Sequence, residues 1–286
     1  MNTPSMKRRR ALALAGFGLG LAPWQRALAA TPSPASANTT LRITGTASGT
    51  GGLALLAAAY KRAHPEVQVE VLPATGSAGG IRAVIDGRAE LAVSHRAPTV
   101  AERARAPLEA LPYSRTPFVL AVHRGLGIER IGVAELAALY RDEAPSFRNG
   151  RRARAVLHLA DTMDTELLRS ISPAVAAGLE QAAGRCGTLD AATDAHCADL
   201  IERTPGAFGP LTLSLIDSEM RPLEPLAIEG FPPPTPENVT SGRYPWSKPL
   251  LLVHAGEPAA QVSAFVDFAC SQGARRMLAQ TGYCTA

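Results

Sequence analysis

Two short Gly/Ser/Thr clusters hold the residues best suited to chemistry in this 286-residue chain: residues 45–52 (GTASGTGG) and residues 75–80 (TGSAGG). Glycine lets backbone N–H groups approach a ligand closely, and serine and threonine add hydroxyl donors. Each cluster follows a strand-like run, residues 40–44 and 67–72, and opens a helix-like run. A helix N-terminus there adds unpaired N–H groups and a partial positive charge. Two such loops on neighbouring strand ends form a cradle for a small anion. Other chemistries lack their residues. GTASG is not the G-x-S-x-G of a hydrolase elbow, and the loops have neither the dinucleotide-binding spacing nor the lysine of a P-loop. Cys186, His196 and Cys197 match no zinc spacing. No cofactor and no metal is implied.

A strand–loop–helix alternation positions these clusters. Leu53, Leu56 and Tyr60 make an apolar helical stripe that ends before Pro65, and Val67, Val69 and Val71 alternate as a strand. Ile81, Val84 and Ile85 place a short helix, and residues 91–94 a further strand. Residues 117–123 (PFVLAVH) form a near-continuous apolar run, the pattern of a strand buried on both faces. Helical periodicity returns over 133–140, 165–170, 174–183, 191–202, 259–271 and 274–281, with strand-like runs at 155–159 and 250–254. The class is α/β throughout, without an internal repeat.

Residues 1–29 read as a cleaved signal peptide. A basic KRRR run at 7–10 precedes an apolar stretch at 11–22 that is too short to span a bilayer, and Ala27-Leu28-Ala29 is an A-x-A site cut before Ala30. The arginine pair and Arg26 point to twin-arginine export, with ordinary secretion as the alternative. Residues 30–39, rich in Pro, Ser, Ala and Thr, read as a flexible tail. The full chain carries +4, but the leader holds five basic residues and no acid, leaving 24 basic against 25 acidic residues. The basic balance therefore says nothing of nucleic acid or membrane binding, and no nucleic-acid partner is expected. About 257 mature residues are natural for two lobes. Four cysteines fit an oxidising compartment. Three connectivities are open, and local pairs, Cys186–Cys197 and Cys270–Cys284, are favoured.

The chain resembles the phosphate-binding protein family of the phosphate ABC importer, within the wider periplasmic binding protein-like superfamily. Residues 75–81 (TGSAGGI) resemble the family's G-S-S-G-G-V loop, and residues 92–98 (AVSHRAP) its G-A-S-D-A-P or S-R-P-L segment. Residues 234–245 (PTPENVTSGRYP) are the most family-specific match, followed by a return strand at 248–252 and a closing helix and tail at 264–268 and 282–283. The resemblance covers roughly residues 41–286. It implies a two-lobe type II binding-protein fold with the ligand in an interlobe cleft. Lobe 1 would be residues 40–120 plus 246–286, and lobe 2 residues 121–245.

By the same resemblance, ligand contacts fall on Ala47, Ser48, Gly49 and Thr50 in the first loop, and on Ser77 and Gly79 in the second. The family's carboxylate position falls on His95 or Arg96. Lobe 2 departs from the pattern. Residues 157–165 (LHLADTMDT) lack the family's arginines and carry carboxylates, so Thr162, Asp164 and Thr165 stand at the anion loop. Asp164 also reads as an N-cap for the helix that follows, and His158 stands where it could replace a lost cation. The implied function is a monomeric, non-catalytic periplasmic protein that binds a small anion or polar solute for an ABC permease. A ligand-poor sensory or adaptor module of the same fold is the alternative, and an exported enzyme a third reading.

Overall fold

The computed structural model describes residues 40–284. The signal peptide and tail expected over residues 1–39 lie outside the described residues. A first alternation comprises β1 (Thr40–Gly45), α1 (Ala47–Ala63), β2 (Gln68–Val71), α2 (Gly76–Ile85), β3 (Leu91–Ser94) and α3 (Val100–Arg103). The 16-residue β4 (Leu108–His123) follows, then β5 (Arg130–Ile131), α4 (Val133–Arg141), β6 (Arg154–His158), α5 (Met163–Ile171) and α6 (Pro173–Ala182). After them come β7 (Leu189–Ala191), α7 (Asp194–Arg203), β8 (Ala207–Thr212), α8 (Leu213–Ser218), β9 (Leu223–Ile228) and α9 (Pro236–Thr240). The chain closes with β10 (Ser247–Ala255), α10 (Ala260–Ala269) and α11 (Gln272–Leu278).

The strands run β2-β1-β3-β10-β4-β8-β6-β7 across one sheet. At one end β1 pairs in parallel with β2 and β3, and at the other β6 pairs in parallel with β7 and β8. The antiparallel pair β10–β4 joins them. Residues 108–117 of β4 pair with β10, whereas 118–123 pair with β8 and β9, so one strand serves both halves. Its second half, residues 117–122, is buried without a break, as the apolar run predicts.

Each half has its own core. Leu41, Ile43, Leu53, Phe265 and Tyr283 centre one; Phe118, Leu120, Tyr140 and Phe208 centre the other. The result is a two-lobe α/β fold. Parallel strands need helical crossovers, so α1, α2, α5 and α7 each start just beyond the C-terminal end of a parallel strand. All four N-termini therefore gather at the strand ends, where open α/β sheets bind ligands.

Two expectations are corrected. The Gly-rich stretches are not free loops: α1 begins at Ala47 and α2 at Gly76, so all of their glycines but Gly45 lie inside helices. Close packing explains them. A Cβ on Gly49 would lie 2.3 Å from Val93 Cγ2, and one on Gly80 would lie 2.6 Å from Gly45 Cα. The cysteine pairs do not form either; Cys186, Cys197, Cys270 and Cys284 are all free. Cys197 faces inward from α7 among Val119, Val156 and Leu211, while Cys186 is exposed on a turn. Cys284 packs in the Phe118 core and Cys270 against the Phe265 core, so each local pair is split by its packing.

Because Gly80 meets backbone and not a side-chain tip, Gly80→Ala is expected to destabilise the protein by about 1–3 kcal/mol. Urea denaturation measures this; an unchanged midpoint would show that α2 can lift off β1 without cost.

Candidate functional site

The four helix N-termini enclose a polar cavity of about 350 Å³. Thr162 and Thr193 cap α5 and α7, accepting from the Thr165 and His196 N–H groups. Thr46 and Thr75 precede α1 and α2 without capping them, which leaves their hydroxyls for other partners. The first turn of α1 is pinned from behind. The Tyr283 hydroxyl accepts from Gly52 N at 2.9 Å and donates to the Ser48 carbonyl at 2.8 Å.

At the floor lies Lys248, 1% exposed at the start of β10. Its Nζ donates to Asp164 at 2.9 Å from both carboxylate oxygens, and to Asp194 at 3.2 and 3.1 Å. Asp164 is the second residue of α5 and Asp194 the first of α7, positions where the helix dipole favours a carboxylate. Ser48 Oγ donates to Asp194 Oδ2, with Thr46 Oγ1 3.4 Å from the same oxygen. The His95 ring bridges Pro249 O at 2.9 Å and Asp194 Oδ2 at 3.3 Å. Both neighbours are acceptors, so the bridge is complete only when the ring carries both protons.

Burial pushes the Asp194 carboxyl up, but the Lys248 charge and the His95 hydrogen bond outweigh it and hold the group well below 3.8. Burial pulls Lys248 down, yet Asp164 and Asp194 together raise it above 10.5. The ammonium and the Asp194 carboxylate are thus both charged at neutral pH. Near the mouth, Arg96 forks onto Glu102 at 2.7 and 2.8 Å. That fork, opposed in part by burial, lowers Glu102 to about 2.

Of the residues anticipated from sequence, Ser77, His95, Arg96, Thr162 and Asp164 line the cavity. Ser77 Oγ accepts from the His95 N–H at 3.0 Å, leaving its own O–H free to donate. Ala47, Ser48, Gly49 and Thr50 are buried in α1 behind the wall. The Gly79 position packs against the Thr75 side chain, and Thr165 Oγ1 donates to Leu159 O at 2.9 Å. Asp164 is not the N-cap of its helix. Thr162 caps it, because Lys248 holds the Asp164 carboxylate inward. His158 reaches Asp164 only at 3.9 Å, and its buried Nε2 has no partner.

Sequence reasoning missed Lys248, Asp194 and Thr193, while Thr46 and Thr75 lay in its two clusters without being named as contacts. A lysine opening an apolar strand and an aspartate after a capping threonine were the available signals. Among the described residues, His158, Asp164 and Asp194 have ligand atoms within 4.8 Å of one another, a set that could hold a metal. The Lys248 ammonium already sits against both carboxylates, so the set does not fit a metal ion while Lys248 is there.

Lys248→Met would leave two buried carboxylates facing each other and is expected to cost about 3–5 kcal/mol. Equilibrium unfolding in urea checks it, and a loss under 1 kcal/mol would mean that water already screens the cluster. A second outcome concerns acid. Asp194 and Glu102 have lowered carboxyls in the fold, so their stabilisation is present above the ordinary values of 3.8 and 4.5 and is lost as pH falls below them. Asp194→Asn should narrow the stability difference between about pH 5 and about pH 3; an equal difference in both proteins would rule out Asp194 as a source.

A family model described as a PBP superfamily domain matches residues 30–272. Among solved structures, one assigned to a phosphate ABC transporter substrate-binding protein with bound phosphate from Clostridium perfringens aligns with a TM-score of 0.69 at 19% identity. The alignment covers 87% of this chain and 100% of the other. An ABC-type phosphate transport receptor from Vibrio cholerae aligns at 0.57 and 20% identity, over 86% and 100% of the two chains. Peb3 from Campylobacter jejuni aligns at 0.58 and 11% identity, over 86% and 100%. At such identities the likeness is one of fold. No curated protein matches the sequence.

Proposed function

This chain belongs to the PBP superfamily, and on that premise we propose that it is a non-catalytic solute-binding protein of an ABC importer. In this reading it is exported to the periplasm by its leader and works as a monomer. It holds a small oxyanion or polar solute between its lobes and hands it to a permease. The lobes are residues 40–120 plus 246–286 and residues 121–245, turning about the shared strands β4 and β10. Structural relatives named as phosphate-binding components support the importer reading.

The observation that carries it is the polar cavity where four helix N-termini meet. Ser77, Arg96 and Thr162 contact the solute from its walls. Ala47, Ser48, Gly49, Thr50, Gly79 and Thr165 support them from behind. No helix among the described residues is long and apolar enough to cross a membrane. One observation favours a second reading, a module of the same fold that binds a protein partner: donors that would meet a solute, Ser48 and Lys248, already serve Asp194.

Thermal unfolding against phosphate, sulfate, molybdate, tungstate and neutral polar solutes tests the first reading. A solute at 100 times its dissociation constant adds about 2.7 kcal/mol, a shift of several degrees. Ser77→Ala is expected to weaken the solute so found by about threefold to tenfold, the worth of one hydrogen bond. A panel without any shift would favour the partner-binding module.

A further inference from the structure

One oxygen in the cleft collects an unusual set of donors. Asp194 Oδ2 accepts from Ser48 Oγ and lies 3.4 Å from Thr46 Oγ1, 3.3 Å from His95 Nε2 and 3.1 Å from Lys248 Nζ. Two hydroxyls, an imidazole and an ammonium around a negative oxygen make the environment that binds a free oxyanion. The donors come from the N-terminus of α1, the segment after β3, and β10, whereas the carboxylate arrives from α7, whose buried face packs with Val119, Val156 and Leu211. Asp194 is 6% exposed. It enters the seat as an outside anion would, from across the cleft.

Asp164 does not share this role. Its oxygens take Lys248 at 2.9 Å, with His158 Nδ1 at 3.9 Å, and no hydroxyl of the first turn reaches it. Asp164 is the counter-ion of Lys248; Asp194 is the occupant of the seat.

We propose that Asp194 is a resident anion that fills an oxyanion seat built by Thr46, Ser48, His95 and Lys248. By filling it, Asp194 steers the native cleft away from fully ionised oxyanions and toward solutes that bring a hydrogen-bond donor or a positive charge. The inference rests on the cleft being the solute site. The chemistry of the remaining wall agrees with it. The Arg96 charge is spent on Glu102, so a dianion beside Asp194 meets a like charge with no free cation among the described lining residues to offset it. An amine or hydroxyl instead meets a wall where two carboxylates surround a single ammonium.

Asp194→Ala empties the seat while leaving Lys248 paired with Asp164, so the lysine is not orphaned. Calorimetric titration with formate, phosphate and sulfate, at ionic strength held constant with chloride, reads the result. The variant is expected to bind at least one of these anions tenfold or more tightly than the wild type, and to regain melting temperature in formate. Adding Ser48→Ala should remove the gain. Asp194→Asn, of nearly the same shape but uncharged, should show a smaller gain than alanine. Anion affinity in Asp194→Ala no higher than in the wild type, with no recovery in formate, overturns the proposal. Should the alanine variant not fold even in formate, Asp194→Asn decides: increased anion affinity supports the seat and unchanged affinity overturns it. A wild type that binds no solute at all counts against the solute-carrier reading, whereas the seat stands or falls on the variants.

Discussion

The cleft depends on one buried ammonium. Lys248 lies beneath the cavity, and without it the α5 and α7 termini would bring two carboxylates together in a dry space. Desolvating three charged groups is costly, and only their close mutual geometry offsets it. The α5 and α7 helices can therefore present acidic first turns to the floor of the cleft. A cation fixed on a strand, not a mobile ion, holds them there.

That strand is β10, and its partner β4 is the structural reason the arrangement holds. Both belong to the part of the sheet where one parallel set gives way to the other. Lys248 pairs in register with Thr116 of β4, the residue that opens the continuously buried stretch. A charge placed there touches elements of both halves, since Asp164 and Asp194 come from beyond β4 and His95 from before it.

Much of the fold was legible in the sequence. The buried run 117–123, the alternating Val67, Val69 and Val71, and the stripe of Leu53, Leu56 and Tyr60 all gave their elements, because period and burial are local properties. The length of β4 was not legible: residues 108–116 mix polar and apolar side chains on a strand with uneven burial. The glycines were misleading in a physical way. A Gly/Ser/Thr stretch reads the same whether its glycines admit a ligand or a neighbouring strand, and Gly49 and Gly80 admit Val93 and Gly45. Cysteine spacing misled for a related reason: closeness in sequence does not set burial, and Cys197 is buried in a packed cluster whereas Cys186 is exposed on a turn.

By itself, the sequence determined the α/β class and the strand–helix alternation over much of the chain outside residues 203–246, because these follow from short-range periodicity. Ser77, His95, Arg96, Thr162 and Asp164, which line the cavity, could be named only through the resemblance to the phosphate-binding family, carried over position by position. Only the tertiary structure decided how they are used. Asp194 lies 146 positions from Ser48 in the chain and Lys248 lies 84 from Asp164, and no local signal couples residues so far apart. Which donor meets a ligand, and which is taken by a neighbouring side chain, is set by long-range packing, because a hydrogen bond in a desolvated site goes to whichever partner the fold brings within reach.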